Sequence, residues 1–278
     1  MSIRIVTDST CDLPAEVIAR YGIVVVPLYI NVAGKGYLDG VEMTREEFYR
    51  NLPTYSSAPT TAAASPEKYR QVYESLAQQG AREILSIHIS VSLSTVLNTA
   101  RLAAQQVESI PVTVYDSRQL SLGTGFLVET AARLAAEGRS MGEIIAALDD
   151  QVRRSRVFAA LDTLEFLRRS GRLNGAVSAM GDLLQVKPLL TMYDGKPGVE
   201  RVRTRDRALL RLLELLRDAG PLARVAIVHT HAPERVAALR EQAAHLLPPG
   251  DILAVDITPV IGAHIGPGAV GLACVARQ

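Results

Sequence analysis

The strongest constraint on the fold is a regular exchange of short β-branched runs with helix-like stretches through the first half of the chain. Ile3 to Thr7, Ile23 to Ile30, Glu83 to Ile89 and Val112 to Tyr115 have the length and side chains of buried strands. Between them lie helix signals. Asp12 is placed to cap a helix whose first turn holds Pro14 and whose end is marked by Gly22. Thr44 opens a short helix, with Glu46 and Glu47 near its positive end, and Ser65-Pro66-Glu67 opens a longer one that closes near Gly80. Helices are expected directly after Ser94 and Ser121. The second is apolar on most faces from Phe126 to Ala136, which predicts deep burial. Strand–helix–strand order of this kind predicts a mostly parallel sheet covered by helices on both faces.

The pattern changes near Ser140. Helical stretches over Met141 to Arg153, Thr163 to Arg169 and Ala176 to Leu184 come in succession. Val186 to Met192 and Val199 to Arg203 then flank Tyr193-Asp194-Gly195-Lys196, a strong hairpin turn. A helix over Arg205 to Asp218 carries an apolar stripe of Leu209, Leu212, Leu213 and Leu216, with Arg207, Arg211 and Glu214 toward water. Val225 to His229, Ile252 to Ile257 and Val270 to Ala276 are further strands. The expected architecture is α/β in two domains, residues 1–158 with the mostly parallel sheet and residues 159–278 a mixed α/β unit. The division itself falls somewhere near residues 155 to 162.

Charge and composition exclude several function classes. A formal net charge of +1 gives no electrostatic footprint for nucleic acid or a membrane surface. No apolar run reaches the roughly 18 residues of a membrane span, and none follows a basic start as in a signal peptide. Cys11 and Cys274 are the only cysteines and stand far apart, which favours free thiols in a reducing cytoplasm over a disulfide. Phosphate-loop, dinucleotide and nucleophile-elbow patterns are all missing.

Three segments carry the remaining chemistry. Ser90 to Thr95 places four hydroxyls in six residues between a strand and a helix start, where unpaired N–H groups favour an anion. A single serine there is as readily a helix cap, so the number of hydroxyls is what argues for a ligand. Thr60 and Thr61 precede the Ser65 helix and by themselves read as loop and cap. The third segment, Gly262 to Gly271, sets His264 among glycines that let the backbone approach a ligand. Asp8, at a strand end, suits either a general base or a loop tie, the latter being favoured. His229 and His231 have the spacing of a metal pair without a third ligand. Two basic groups, Arg168-Arg169-Ser170-Gly171-Arg172 and Arg201 to Arg207, read first as solvated surface and otherwise as docking sites for an acidic partner or a phosphate.

Taken in order, these stretches resemble the DegV family of bacterial fatty-acid-binding proteins over essentially the whole chain. The resemblance rests on Thr7-Asp8-Ser9-Thr10-Cys11-Asp12-Leu13-Pro14, Pro59-Thr60-Thr61, Ile89 to Thr95 and Asp116-Ser117. Further on it includes Leu161 to Leu167, Val186-Lys187-Pro188 and Gly262 to Ala269.

The resemblance implies two α/β domains with one long-chain fatty acid, such as palmitate, held between them, and no cofactor or metal. It implies a non-catalytic, cytoplasmic carrier in fatty acid metabolism. Thr61 and Ser94 match the positions that hold the carboxylate, and His264 the position beside it. Arg203 matches a position linked to a fatty acid kinase that receives the presented head group. Two departures stand out. Ala62-Ala63-Ala64 replaces a more polar stretch, and Thr95 replaces a glycine beside the head group, adding a candidate ligand hydroxyl. The alternative is a hydrolase or phosphotransferase on the same scaffold, working through Asp8 or His264.

Overall fold

A computed structural model describes residues 3–172 and 187–277. The helix expected over Ala176 to Leu184 lies outside the described residues. The first half alternates as its sequence requires. β1 (Ile3–Asp8), α1 (Ala15–Tyr21), β2 (Val24–Val26), β3 (Tyr29–Val32), β4 (Lys35–Leu38) and α2 (Arg45–Asn51) lead to β5 (Thr60–Ala62). Then come α3 (Pro66–Gln78), β6 (Glu83–His88), α4 (Val96–Ala104), β7 (Val112–Asp116), α5 (Ser121–Ala136) and α6 (Met141–Arg154). The second half runs β8 (Ser155–Ala160), α7 (Glu165–Arg169), β9 (Lys187–Tyr193), β10 (Lys196–Val202), α8 (Arg205–Asp218) and β11 (Leu222–His229). It closes with α9 (Pro233–Ala243), β12 (Leu253–Asp256), α10 (Pro259–Ile265) and β13 (Val270–Ala276).

Three sheets result. A parallel sheet has the order β2-β1-β6-β7, a small antiparallel one β4-β3-β5, and a mixed one β10-β9-β8-β13-β11-β12. The expected fold class is therefore the observed one. Parallel neighbours β1 and β6 bring Asp8 and His88 to the same sheet end, where the ligand-side loops begin.

Several expectations are corrected. The apolar run from Ile23 to Ile30 is two strands, because Pro27 interrupts the ladder and turns the chain into a second sheet. Asp12 does not cap α1, whose N-cap is Pro14 without a side-chain bond. Asp12 instead sits in the left-handed region with φ 54° and spends its carboxylate on Thr258, Ser121 and Arg45. Thr60 and Thr61 lie in β5 rather than in a loop, paired with Asn31 and Ile30. Ser65 does cap α3, accepting from Lys68 N–H at 3.2 Å.

One buried core cluster spans the parallel and the mixed sheets. α5 is buried along most of its length, as its apolar faces predict. It packs Leu122, Phe126 and Val128 into one cluster with Ile5 and Leu85 of the parallel sheet and with Val157, Ala226 and Ala273 of the mixed sheet. The chain passes between sheets at Arg154–Ser155, where α6 runs directly into β8. All six residues of β8, on both sides of position 158, belong to the mixed sheet. A buried polar clasp adds to the joint. Thr258 N–H donates to Asp12 at 2.9 Å, the Thr258 hydroxyl donates to Asp39, and Arg45 pairs with Asp12 while donating to the Asp256 carbonyl.

Candidate functional site

A cavity of about 160 Å³ lies between the mixed sheet and the loops and β5 of the first half. A single water needs only about 10–15 Å³, so the space is roomy enough for something much larger. Its floor comes from alternate residues of the mixed sheet. Cross-strand pairs Ala159–Leu190, Val157–Met192, Leu190–Val199 and Met192–Pro197 put six apolar residues on one face. Leu28, Ile89, Leu93 and Leu120 form the opposing wall from the first half. Polar groups are few: Thr10, Thr61, Ser94, Arg172, Thr191 and His264.

Thr61 and His264 meet directly. Thr61 projects from β5, His264 from the last turn of α10, and Thr61 Oγ1 lies 2.9 Å from His264 Nε2. His264 does stand among glycines, but residues 259–265 are helical, and of the four glycines expected to give the backbone freedom only Gly266 and Gly268 have positive φ. Gly262 serves packing, since a methyl there would collide with the Tyr49 hydroxyl. Burial, and then the positive charge of Arg172, push the His264 pKa down to about 4, so the ring is neutral at pH 7. Its Nδ1 is buried with no hydrogen-bond partner among the described residues.

The hydroxyl-rich segment divides its labour. Ser90 and Ser92 bond each other at 2.9 Å. Ser94 lines the cavity, and its Oγ accepts from Val96 N–H at 3.3 Å, which leaves its own proton to donate. Thr95 is the N-cap position of α4 without a side-chain cap bond. Thr95 is exposed and does not line the cavity. The structure thus brings Thr61, Ser94 and His264 to one cavity and leaves Thr95 outside it.

Arg203 stands elsewhere. It is exposed on the turn between β10 and α8 and makes no ion pair among the described residues. Its neighbour Arg205 shares Asp162 with Arg235 and Lys187, and Arg235 also donates to the Gly268 carbonyl. One carboxylate thereby ties the start of α8 to the glycine segment behind His264.

Asp8 has no free oxygen to act as a base. It accepts from Thr10 N–H and hydroxyl, from Ile89 N–H and from His88 Nδ1 at 2.8 Å. Burial raises its pKa, but the His88 and Thr10 bonds outweigh that, and the carboxyl lies below its usual range. His88 Nε2 meets Ser86, which meets Tyr73, and all four side chains are buried in the core. His229 and His231 do not share a strand face, since β11 ends at His229 and His231 has φ 51°. Both rings face Asp256, at 3.6 and 3.7 Å, and no metal-holding group of three is present among the described residues. Thr10 and Arg172 are site residues that pattern reading missed as such. Arg172 was visible only as part of a basic run, and Thr10 as a loop residue.

Known proteins similar to this chain in sequence and fold are plentiful. A family profile described as uncharacterised protein, DegV family, matches residues 2–277. A DegV domain-containing protein of Deinococcus radiodurans is 39% identical over 280 aligned positions, 98% of each chain. One from Caldanaerobacter subterraneus subsp. tengcongensis is 35% identical over 274, 97% of each. Among solved structures, a DegV family protein of Thermus thermophilus described as fatty acid binding superposes with a TM-score of 0.91 at 37% identity, covering 100% of both chains. DegV of Bacillus subtilis, described as a fatty acid binding protein, gives 0.91 at 30% identity, again over 100% of both. In sequence along nearly its whole length, and in fold along all of it, this chain belongs to the DegV family.

Proposed function

We propose that this protein binds one long-chain fatty acid, such as palmitate, in the cavity between its sheets and presents the carboxylate to a fatty acid kinase without itself catalysing a reaction. The observation that carries the reading is the composition of the cavity: a mainly apolar space with four hydroxyls, those of Thr10, Thr61, Ser94 and Thr191, one imidazole and one arginine in its lining. The relatives described as fatty acid binding support the same ligand class.

The energetics divide between tail and head. Burying about fourteen methylenes at ~0.8 kcal/mol each is worth on the order of 10 kcal/mol before ordering costs. A hydrogen bond to a charged head group nets about 1.5–3 kcal/mol. The tail therefore sets affinity, and Thr61 and Ser94 set orientation. A carboxylate only accepts, so Thr61 must donate to it, which requires His264 Nε2–H to donate to Thr61 Oγ1. The neutral imidazole thus holds the threonine proton toward the ligand, while Arg172 supplies positive charge nearby.

Native mass spectrometry of the gently purified protein tests the reading. A co-purified fatty acid, displaceable by added palmitate, is expected. A bound nucleotide or phosphate ester in its place would overturn it.

A further inference from the structure

The β9–β10 hairpin carries part of the cavity wall on its inner face, as Leu190, Met192, Pro197 and Val199. Met192 and Pro197 form the last inward pair before the turn. The turn is Asp194-Gly195, with φ of 45° and 76°, the double positive φ of a primed hairpin turn. β10 is the edge strand of its sheet; Arg211 of α8 holds its far end at Glu200, and the tip is held separately.

The tip is gripped from the other half of the molecule. Gly195 N–H donates to the Arg118 carbonyl at 3.0 Å, and Arg118 Nη1 lies 2.9 Å from Asp194 Oδ1. Arg118 has φ 51°, uncommon for a residue other than glycine, and its own N–H is held by Asp116 Oδ1 at 2.9 Å. Two residues later Leu120 lines the cavity opposite the hairpin. Arg118 therefore links the hairpin tip to the segment that supplies Leu120 to the opposing wall.

We propose that Arg118 is a positioning residue that latches the β9–β10 hairpin tip and thereby sets the longest acyl chain the cavity admits. The proposal rests on the fatty acid reading above. A chain too long for the cavity must push the Met192–Pro197 pair outward against the latch, or leave methylenes in water. Each methylene left out forfeits about fourfold in affinity.

The test is a dissociation-constant series for saturated fatty acids of fourteen to twenty carbons. The wild type is compared with the double variant Arg118→Gly, Asp194→Gly, glycine being at ease with positive φ at both sites. Binding of the shorter acids should stay within about twofold, while preference for the longer acids over palmitate rises about fourfold or more. An unchanged profile, or an equal loss at every length as from general destabilisation, would overturn the latch. A second variant, Arg118→Cys with Gly195→Cys, uses a position where a new Cβ would stand 3.5 Å from that of residue 118, within disulfide span. Oxidised, it should keep the wild-type length profile; reduced, it should shift toward longer acids. Identical profiles in the two redox states would also overturn the latch. Should the wild type bind no fatty acid of any length, the carrier reading falls first and the latch with it.

Discussion

Thr61 and His264 are 203 positions apart in the chain, yet the threonine hydroxyl oxygen lies 2.9 Å from the histidine Nε2. The contact joins a strand of the small antiparallel sheet to a short helix whose N-cap, Thr258, is bonded to Asp12 and Asp39 of the first half. The polar end of the cavity is therefore built from both halves of the chain.

Replacing both Thr61 and Ser94 by alanine should weaken fatty acid binding roughly a hundredfold, since two charge-assisted hydrogen bonds are lost. The melting temperature should move by only a few degrees, because Thr61 and Ser94 are only partly buried. Titration calorimetry checks the first statement and thermal denaturation the second; unchanged affinity would dismiss the head-group assignment.

His264 links stability to pH. Its pKa is lowered to about 4, chiefly by burial, against an unfolded value near 6.5. The unfolded chain thus binds more protons between these values, and stability from this group is complete above pH 6.5 and lost as pH falls toward 4. Asp12 opposes it: burial lifts that carboxyl to about 6, so its part is lost as pH rises. The difference between wild type and His264→Gln isolates the histidine. The wild type should lose on the order of 1–3 kcal/mol more than the variant between pH 7 and pH 4, read by urea denaturation.

Arg203→Glu should leave fatty acid affinity unchanged, since the residue is exposed and outside the cavity lining. Phosphorylation of the bound acid by a fatty acid kinase should fall about tenfold or more, as expected when an interfacial charge is reversed. Equal kinase turnover with both proteins would remove the docking role of this surface.

Gly262→Ala should destabilise the protein by about 1–3 kcal/mol, because the added methyl meets Tyr49, whose hydroxyl donates to the Ile257 carbonyl at 2.9 Å. Gly142→Ala in α6 is the control: nothing lies within 4 Å of its added carbon, and helix propensity should give a neutral or slightly stabilising effect. Denaturant midpoints of the two variants separate packing from propensity.

Local patterns in the chain were enough for the alternation of strands and helices, the buried α5, the Asp194-Gly195 turn and the order of the family segments, because each depends on side-chain periodicity or turn chemistry within a few residues. They were not enough for the break at Pro27, the strand that carries Thr61 or the helix that carries His264, where short segments take their conformation from the partner they pack on. The division within Ser90 to Thr95 was equally hidden: neighbouring hydroxyls look alike in one dimension, and only the folded backbone decides that Ser94 faces the cavity and Thr95 does not. Asp8 and Asp12 illustrate the same limit, since a carboxylate's role depends on the donors that surround it, here His88, Thr10, Ser121 and Thr258. Short-range chemistry named the parts of this protein. Long-range packing chose which of them share one water-poor space, because burial and hydrogen-bond satisfaction are properties of the assembled interior.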